Sequence, residues 1–174
     1  MNEPAWSHLV RLGALGHGVA KVQLIADEAA RKRIARLLDL AELTALSADI
    51  TITPWFDGAE IEADWSADLV QICGVSLEPL PDSPAGHFIV RVVPADSQHA
   101  PSAETEIDLD PDAPDPPDVL EDDDSVDLAG YVVEHLALEI DPFPRKPGVE
   151  FEPPKDDADL SPFAALRKLQ DPKA

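Results

Sequence analysis

Cys73 is the one thiol in the chain, and a cysteine could serve as a nucleophile or as a soft metal ligand. It lies inside an apolar stretch with no histidine close by in sequence, which predicts a buried, unreactive side chain. A closed metal site needs about four N, S or O ligands. One cysteine and five scattered histidines do not supply them. His135 falls on the apolar face of a helical stretch and reads as a satisfied core histidine rather than a base. The acidic run near Glu121 lacks the alternating ligands and central glycine of a calcium loop. Leu12 to Gly18 holds three glycines but opens no strong helix, so it reads as a turn and not a phosphate loop. No Ser/His/Asp arrangement stands out. The expectation is a protein that binds, with no catalytic residues, no cofactor and no metal.

The basic residues carry more information because they are few. Thirteen Lys and Arg face 35 Asp and Glu, for a net charge of −22. Arg31, Lys32, Arg33 and Arg36 cluster within six positions and could touch phosphate locally even on an acidic protein. The blander reading is a solvated helix face on which Lys32 pairs with Glu28. The tail holds a second, weaker group in Arg167, Lys168 and Lys173. Beside it, Phe163, Leu166 and Leu169 could dock on a partner or on the protein's own sheet, and the long tether favours the protein itself. The overall charge repels nucleic acid at long range and makes a basic protein partner easier to rationalise. Excess acid also simply keeps a protein soluble.

These groups must be positioned by elements that the pattern reveals. The 174 residues suit one domain over 1–174 with a core of its own. Charge is segregated. Residues 1–94 hold 7 basic and 13 acidic side chains, 95–125 hold none and 12, and 126–174 hold 6 and 10. The middle interval also has five prolines and few apolar residues, so an acidic disordered loop is predicted over 95–124. A second proline-rich interval, 141–160, reads as flexible.

A short strand is predicted at Lys21–Ile25, and a helix at Asp27–Leu40 capped by Asp27. Its apolar face is Ala30, Ile34, Leu37 and Leu38. Leu46, Ala48, Ile50 and Ile52 alternate with polar residues, and Ala59, Ile61, Ala63 and Trp65 repeat the pattern beyond Asp57-Gly58. That is the period of half-buried strands joined by a turn. A bulge is expected near Ser66, where the alternation weakens. Val75–Leu80 and His87–Val93 read as a further hairpin. A helix at Val126–Ile140, capped by Ser125 or Asp124, and a short helix from Ser161-Pro162 complete the elements. The fold class is α+β: an antiparallel meander, or an open or barrel-like sheet, with two packed helices. Met1–Ala14 has no apolar run of signal-peptide length, and no stretch approaches the ~18 apolar residues of a membrane span. With a single cysteine, this suits a cytoplasmic protein with no membrane partner.

The order of features also resembles a known family. The helix over Glu28–Leu40 and the meander lead to Gln71-Ile72-Cys73-Gly74-Val75-Ser76-Leu77-Glu78-Pro79. After the acidic interval come Val126-Asp127-Leu128 opening a helix with Glu134, then Pro142-Phe143-Pro144, and Ser161-Pro162-Phe163-Ala164-Ala165-Leu166 near the end. This ordered set resembles the YceD family, the large ribosomal RNA subunit accumulation proteins. The resemblance implies a role in accumulation or processing of large-subunit (23S) ribosomal RNA and in assembly of that subunit, with no known catalytic residues. The charge segregation suggests how: Arg31, Lys32, Arg33 and Arg36 would present a local basic face to rRNA or a pre-50S particle, and the acidic loop would engage or shield a basic ribosomal protein or repel non-cognate RNA. The rival is an acidic, chaperone-like protein that holds a basic ribosomal protein and never touches RNA. Some family members carry two cysteines where this chain has Cys73 and Ser76, and another after the second helix. Asp141–Gly148 has none, so no metal or redox role is carried over.

Overall fold

Two long runs of strict alternation dominate the chain, and they become its two longest strands. The structure is a computed structural model that describes residues 4–14, 18–101, 115–120 and 124–151. In chain order the elements are β1 (Leu9–Arg11), a single 3-10 turn (Leu12–Ala14), β2 (Ala20–Ile25), α1 (Glu28–Leu37), β3 (Glu42–Trp55), β4 (Gly58–Ile72), β5 (Pro79–Asp82), β6 (Ala85–Pro94), β7 (Asp118–Leu120), β8 (Ser125–Asp127) and α2 (Leu128–Glu139). The main sheet runs β2-β3-β4-β6-β7, with β5 also on β4, and β1 and β8 form a separate small pair. All pairings are antiparallel except β6 with β7. The fold is α+β, and the sheet is open rather than closed into a barrel.

Alternation sends one set of strand side chains inward. Leu46, Ile50 and Ile52 of β3 and Ile61, Trp65 and Leu69 of β4 are buried, together with Ala30 and Ile34 of α1 and Leu128, Val132 and Leu136 of α2. They form one cluster, so both helices cover the same face of the sheet. Each large side chain sunk there contributes roughly 1.5–3 kcal/mol.

The Asp27 cap is as the sequence predicts: its carboxylate accepts from the Ala30 amide at 2.7 Å. The helix ends earlier than predicted, at Leu37, and Asp39 takes a left-handed conformation with φ 53°. Three further departures have physical causes. Val75–Leu80 is not half of a hairpin with His87–Val93. Cys73–Glu78 is instead the loop joining β4 to β5, closed by the Cys73 amide donating to the Glu78 carbonyl at 2.9 Å. β5 and β6 then lie end to end along the same edge of β4, in one register from Ile72↔Pro79 to Ala59↔Val92. Pro79 and Pro81 lack amide donors and sit in β5, whose far edge is unpaired among the described residues, where proline is tolerated.

The bulge lies not near Ser66 but in β3, between Leu43 and Ala45. The burial of β4 alternates without a break to Leu69, and small Ala67 is an inward residue that merely weakens the pattern. Finally, α2 opens at Leu128, not Val126. Ser125–Asp127 pairs with β1, which buries Val126 as a strand residue. The cap is therefore Asp127, in place of Ser125 or Asp124, and it accepts from Gly130 and from the distant amide of His8.

Parts of the intervals read as unstructured are held. Asp118–Leu120 adds to the sheet as β7, and the Tyr131 hydroxyl donates to Asp118 at 2.7 Å. Beyond α2, the Gly74 amide donates to the Pro144 carbonyl at 2.9 Å. Residues 102–114, 121–123 and 152–160 of those intervals, the helix expected from Ser161, and Phe163, Leu166 and Leu169 lie outside the described residues.

Candidate functional site

Helical spacing decides which of the four basic side chains on α1 come together. With Ala30, Ile34 and Ala35 facing the sheet, Arg31, Lys32 and Arg36 fall along one flank. They border an open groove of about 710 Å³ between α1 and the start of β3. Ala35, Leu40 and Leu43 supply its apolar lining, and Glu28 and Glu42 its two carboxylates. Arg33 leaves the group. Its Nε donates to the Ala5 carbonyl at 2.8 Å and ties the N-terminal segment to the helix.

The three groove cations differ in how far they are committed. Lys32 pairs with Glu28, whose carboxyl is held below its ordinary range first by the hydrogen bond from Lys32 and then by its charge. Both side chains are well exposed, so the pair contributes little to stability. Arg31 Nη1 donates to the Ala26 carbonyl at 2.7 Å, and Arg36 Nε donates to the Lys32 carbonyl at 3.1 Å. Those bonds neutralise nothing, and a guanidinium has five N–H donors. Both arginines keep further N–H donors for an oxyanion, although the charge of Arg31 also acts on Glu28.

A second cluster surrounds Cys73, which is fully buried, as the sequence predicts. Its sulfur accepts from the amides of Ser76 and Lys146, each at 3.4 Å. The Ser76 hydroxyl first, and then the amides of Ser76, Lys146 and Val75, bring the thiol down to about 6 against the opposing effect of burial. Lys146 Nζ pairs with Glu78 at 2.7 Å and closes the loop from outside. His135 stacks on Phe88 with centroids 4.0 Å apart, and burial holds it below its ordinary pKa although Glu134 and Glu139 pull the other way. Among the described residues, no group of three or more His, Cys, Asp and Glu is placed to hold a metal ion, and no helix is long and apolar enough to cross a membrane.

A third cluster escaped sequence reasoning. At the tip of the β3–β4 hairpin, Phe56 is exposed and has a left-handed backbone with φ 52°, costly for a bulky residue. It stacks on His99 at 4.0 Å and meets the Trp55 ring edge-on at 4.6 Å. Arg91 lies over Trp55, 5.3 Å from its centroid. The adjacent aromatics just before Asp57-Gly58 were the available signal.

Residues 61–170 match the model of the family described as large ribosomal RNA subunit accumulation protein YceD. The chain belongs to the YceD family. No curated protein and no solved structure matches it. The YceD match takes in most of β4, the Cys73 loop, β5 to β8 and α2, while α1 and its groove precede it. Membership links the chain to accumulation of large-subunit ribosomal RNA.

Proposed function

We propose that this chain supports accumulation and processing of 23S ribosomal RNA, and assembly of the large subunit, in the cytoplasm, by binding rather than by catalysis. RNA phosphate is met at the α1 groove. The observation that carries this reading is the convergence of Arg31, Lys32 and Arg36 on one groove in a chain of net charge −22.

Screening resolves the apparent conflict of sign. At physiological salt the Debye length is about 8 Å, and packed layers stand roughly 10 Å apart. Carboxylates on the far face of the sheet are therefore largely screened at the groove, where Glu28 and Glu42 are the lining acids. A phosphate seated between Arg31 and Arg36 would gain charge-assisted bonds from both.

The test uses tagged full-length protein with Lys32→Gln and Arg36→Gln, which leave the Arg31 bond to the backbone intact. Recovery of large-subunit precursor RNA from cells should drop sharply. Unchanged recovery would remove the groove from the account.

A further inference from the structure

The face of the sheet opposite the two helices has no element packed on it among the described residues. The register stacks it in rungs: Thr53, Glu60 and Arg91; then Lys21, Thr51, Glu62 and Ile89; then Gln23, Asp49, Asp64 and His87, so that Lys21 at the β2 edge is, with Arg91, a cation already on this face. Asp49 stands directly opposite Asp64. Like charges in that position repel, and the described contacts only partly relieve them, through Gln23 on Asp49 at 2.9 Å and His87 on Asp64 at 3.0 Å. Ile89 is 54% exposed between these carboxylates, and the aromatic tip of Trp55 and Phe56 closes one end.

We propose that this outer face, from Trp55 to Asp64, is a docking surface for an extended polypeptide segment with arginine or lysine at alternate positions. Arg91 displays the recognition within the fold: its guanidinium pairs with Glu60 at 2.9 Å and lies over the Trp55 ring. Geometry suggests the spacing. Glu60, Glu62 and Asp64 are alternate residues of one strand, so they recur about every 6.6–6.8 Å, and alternate side chains of an extended ligand recur at the same interval. A cation set between Asp49 and Asp64 relieves their repulsion, while the apolar stems of basic side chains cover Ile89. Nucleic acid and a second copy of this acidic chain are disfavoured by the same charges. This surface is independent of the α1 groove, on the opposite side of the sheet.

The probe is a synthetic peptide alternating arginine and threonine, titrated without RNA into the full-length chain and followed by calorimetry and amide chemical shifts. Glu62→Gln with Asp64→Asn should weaken binding about fivefold to tenfold. Glu134→Gln with Glu139→Gln on α2, an equal change in net charge, should leave it nearly unchanged. Shifts should centre on Thr51, Glu62 and Ile89. Equal weakening by both pairs, or shifts confined to residues 95–124, would overturn the proposal by reducing it to general charge attraction. Markedly tighter peptide binding after deletion of 152–174 would overturn it in another way, by making the chain's own tail the occupant.

Discussion

The amide of Lys146 donates to the sulfur of Cys73, 73 residues earlier in the chain, at 3.4 Å. That bond, the Gly74 amide on the Pro144 carbonyl, the Gln71 side chain on the Asp141 carbonyl at 2.8 Å and the Glu78–Lys146 pair fasten the segment after α2 onto the β4–β5 loop. Cys73 is thus buried, but its surroundings favour the thiolate.

The ionisation of Cys73 gives the first prediction. Its folded pKa, about 6, is depressed from an ordinary value of 9.0. The unfolded chain therefore binds more protons between these values, and stability rises with pH across the window. The contribution is complete above about pH 9 and is lost as pH falls through the folded value of about 6. Thiolate absorbance of the native protein should titrate with a midpoint near pH 6. Cys73→Ser should keep the fold but remove both the absorbance step and that part of the pH dependence of stability.

Gly58→Ala should be strongly destabilising. A Cβ at Gly58 would run into the Val92 carbonyl, and backbone cannot yield as a flexible side chain can. A loss of about 3 kcal/mol is expected in denaturant unfolding. Gly13→Ala, where a Cβ meets nothing within 4 Å, should change stability by less than about 0.5 kcal/mol.

Asp127→Ala should cost about 1–2 kcal/mol. Its carboxylate caps α2 through Gly130 and also accepts from the His8 amide at 2.7 Å. The distinguishing readout is hydrogen exchange: protection at His8 and across the Leu9–Arg11 pairing should fall along with that of the first turn of α2.

How much of this was legible in the sequence depended on the range of the forces involved. α1, its Asp27 cap and the β3–β4 meander were readable because alternation, helical spacing and capping are local. The Cys73–Glu78 loop was misread because Val75 and Leu77 alternate like strand residues. What makes a loop there is the pairing of Pro79 with Ile72 and the contacts of Pro144 and Lys146, none of which is local. β7 and β8 were invisible, being three residues each and formed only by distant partners. In the groove, the clustering of Arg31, Lys32 and Arg36 was readable from spacing. The diversion of Arg33 was not, because its partner is the backbone of Ala5.

His135 supplies a second pH signature. Burial lowers its folded pKa, so its contribution to stability is present above the unfolded value of about 6.5 and is lost as pH falls through the lower folded value. His135→Phe keeps a ring against Phe88 and should flatten the stability profile as pH falls below about 6.5, an effect that should persist in a Cys73→Ser background.

The central claim, that RNA phosphate is bound at the α1 groove, is tested most directly by the salt dependence of binding to a large-subunit rRNA fragment. The slope of log affinity against log salt reports the number of phosphates neutralised, at about 0.7–0.9 per contact. The wild-type chain should give a slope of magnitude about 2–3, and Lys32→Gln with Arg36→Gln should reduce it by about 2. An identical slope and affinity in the variant would contradict the account.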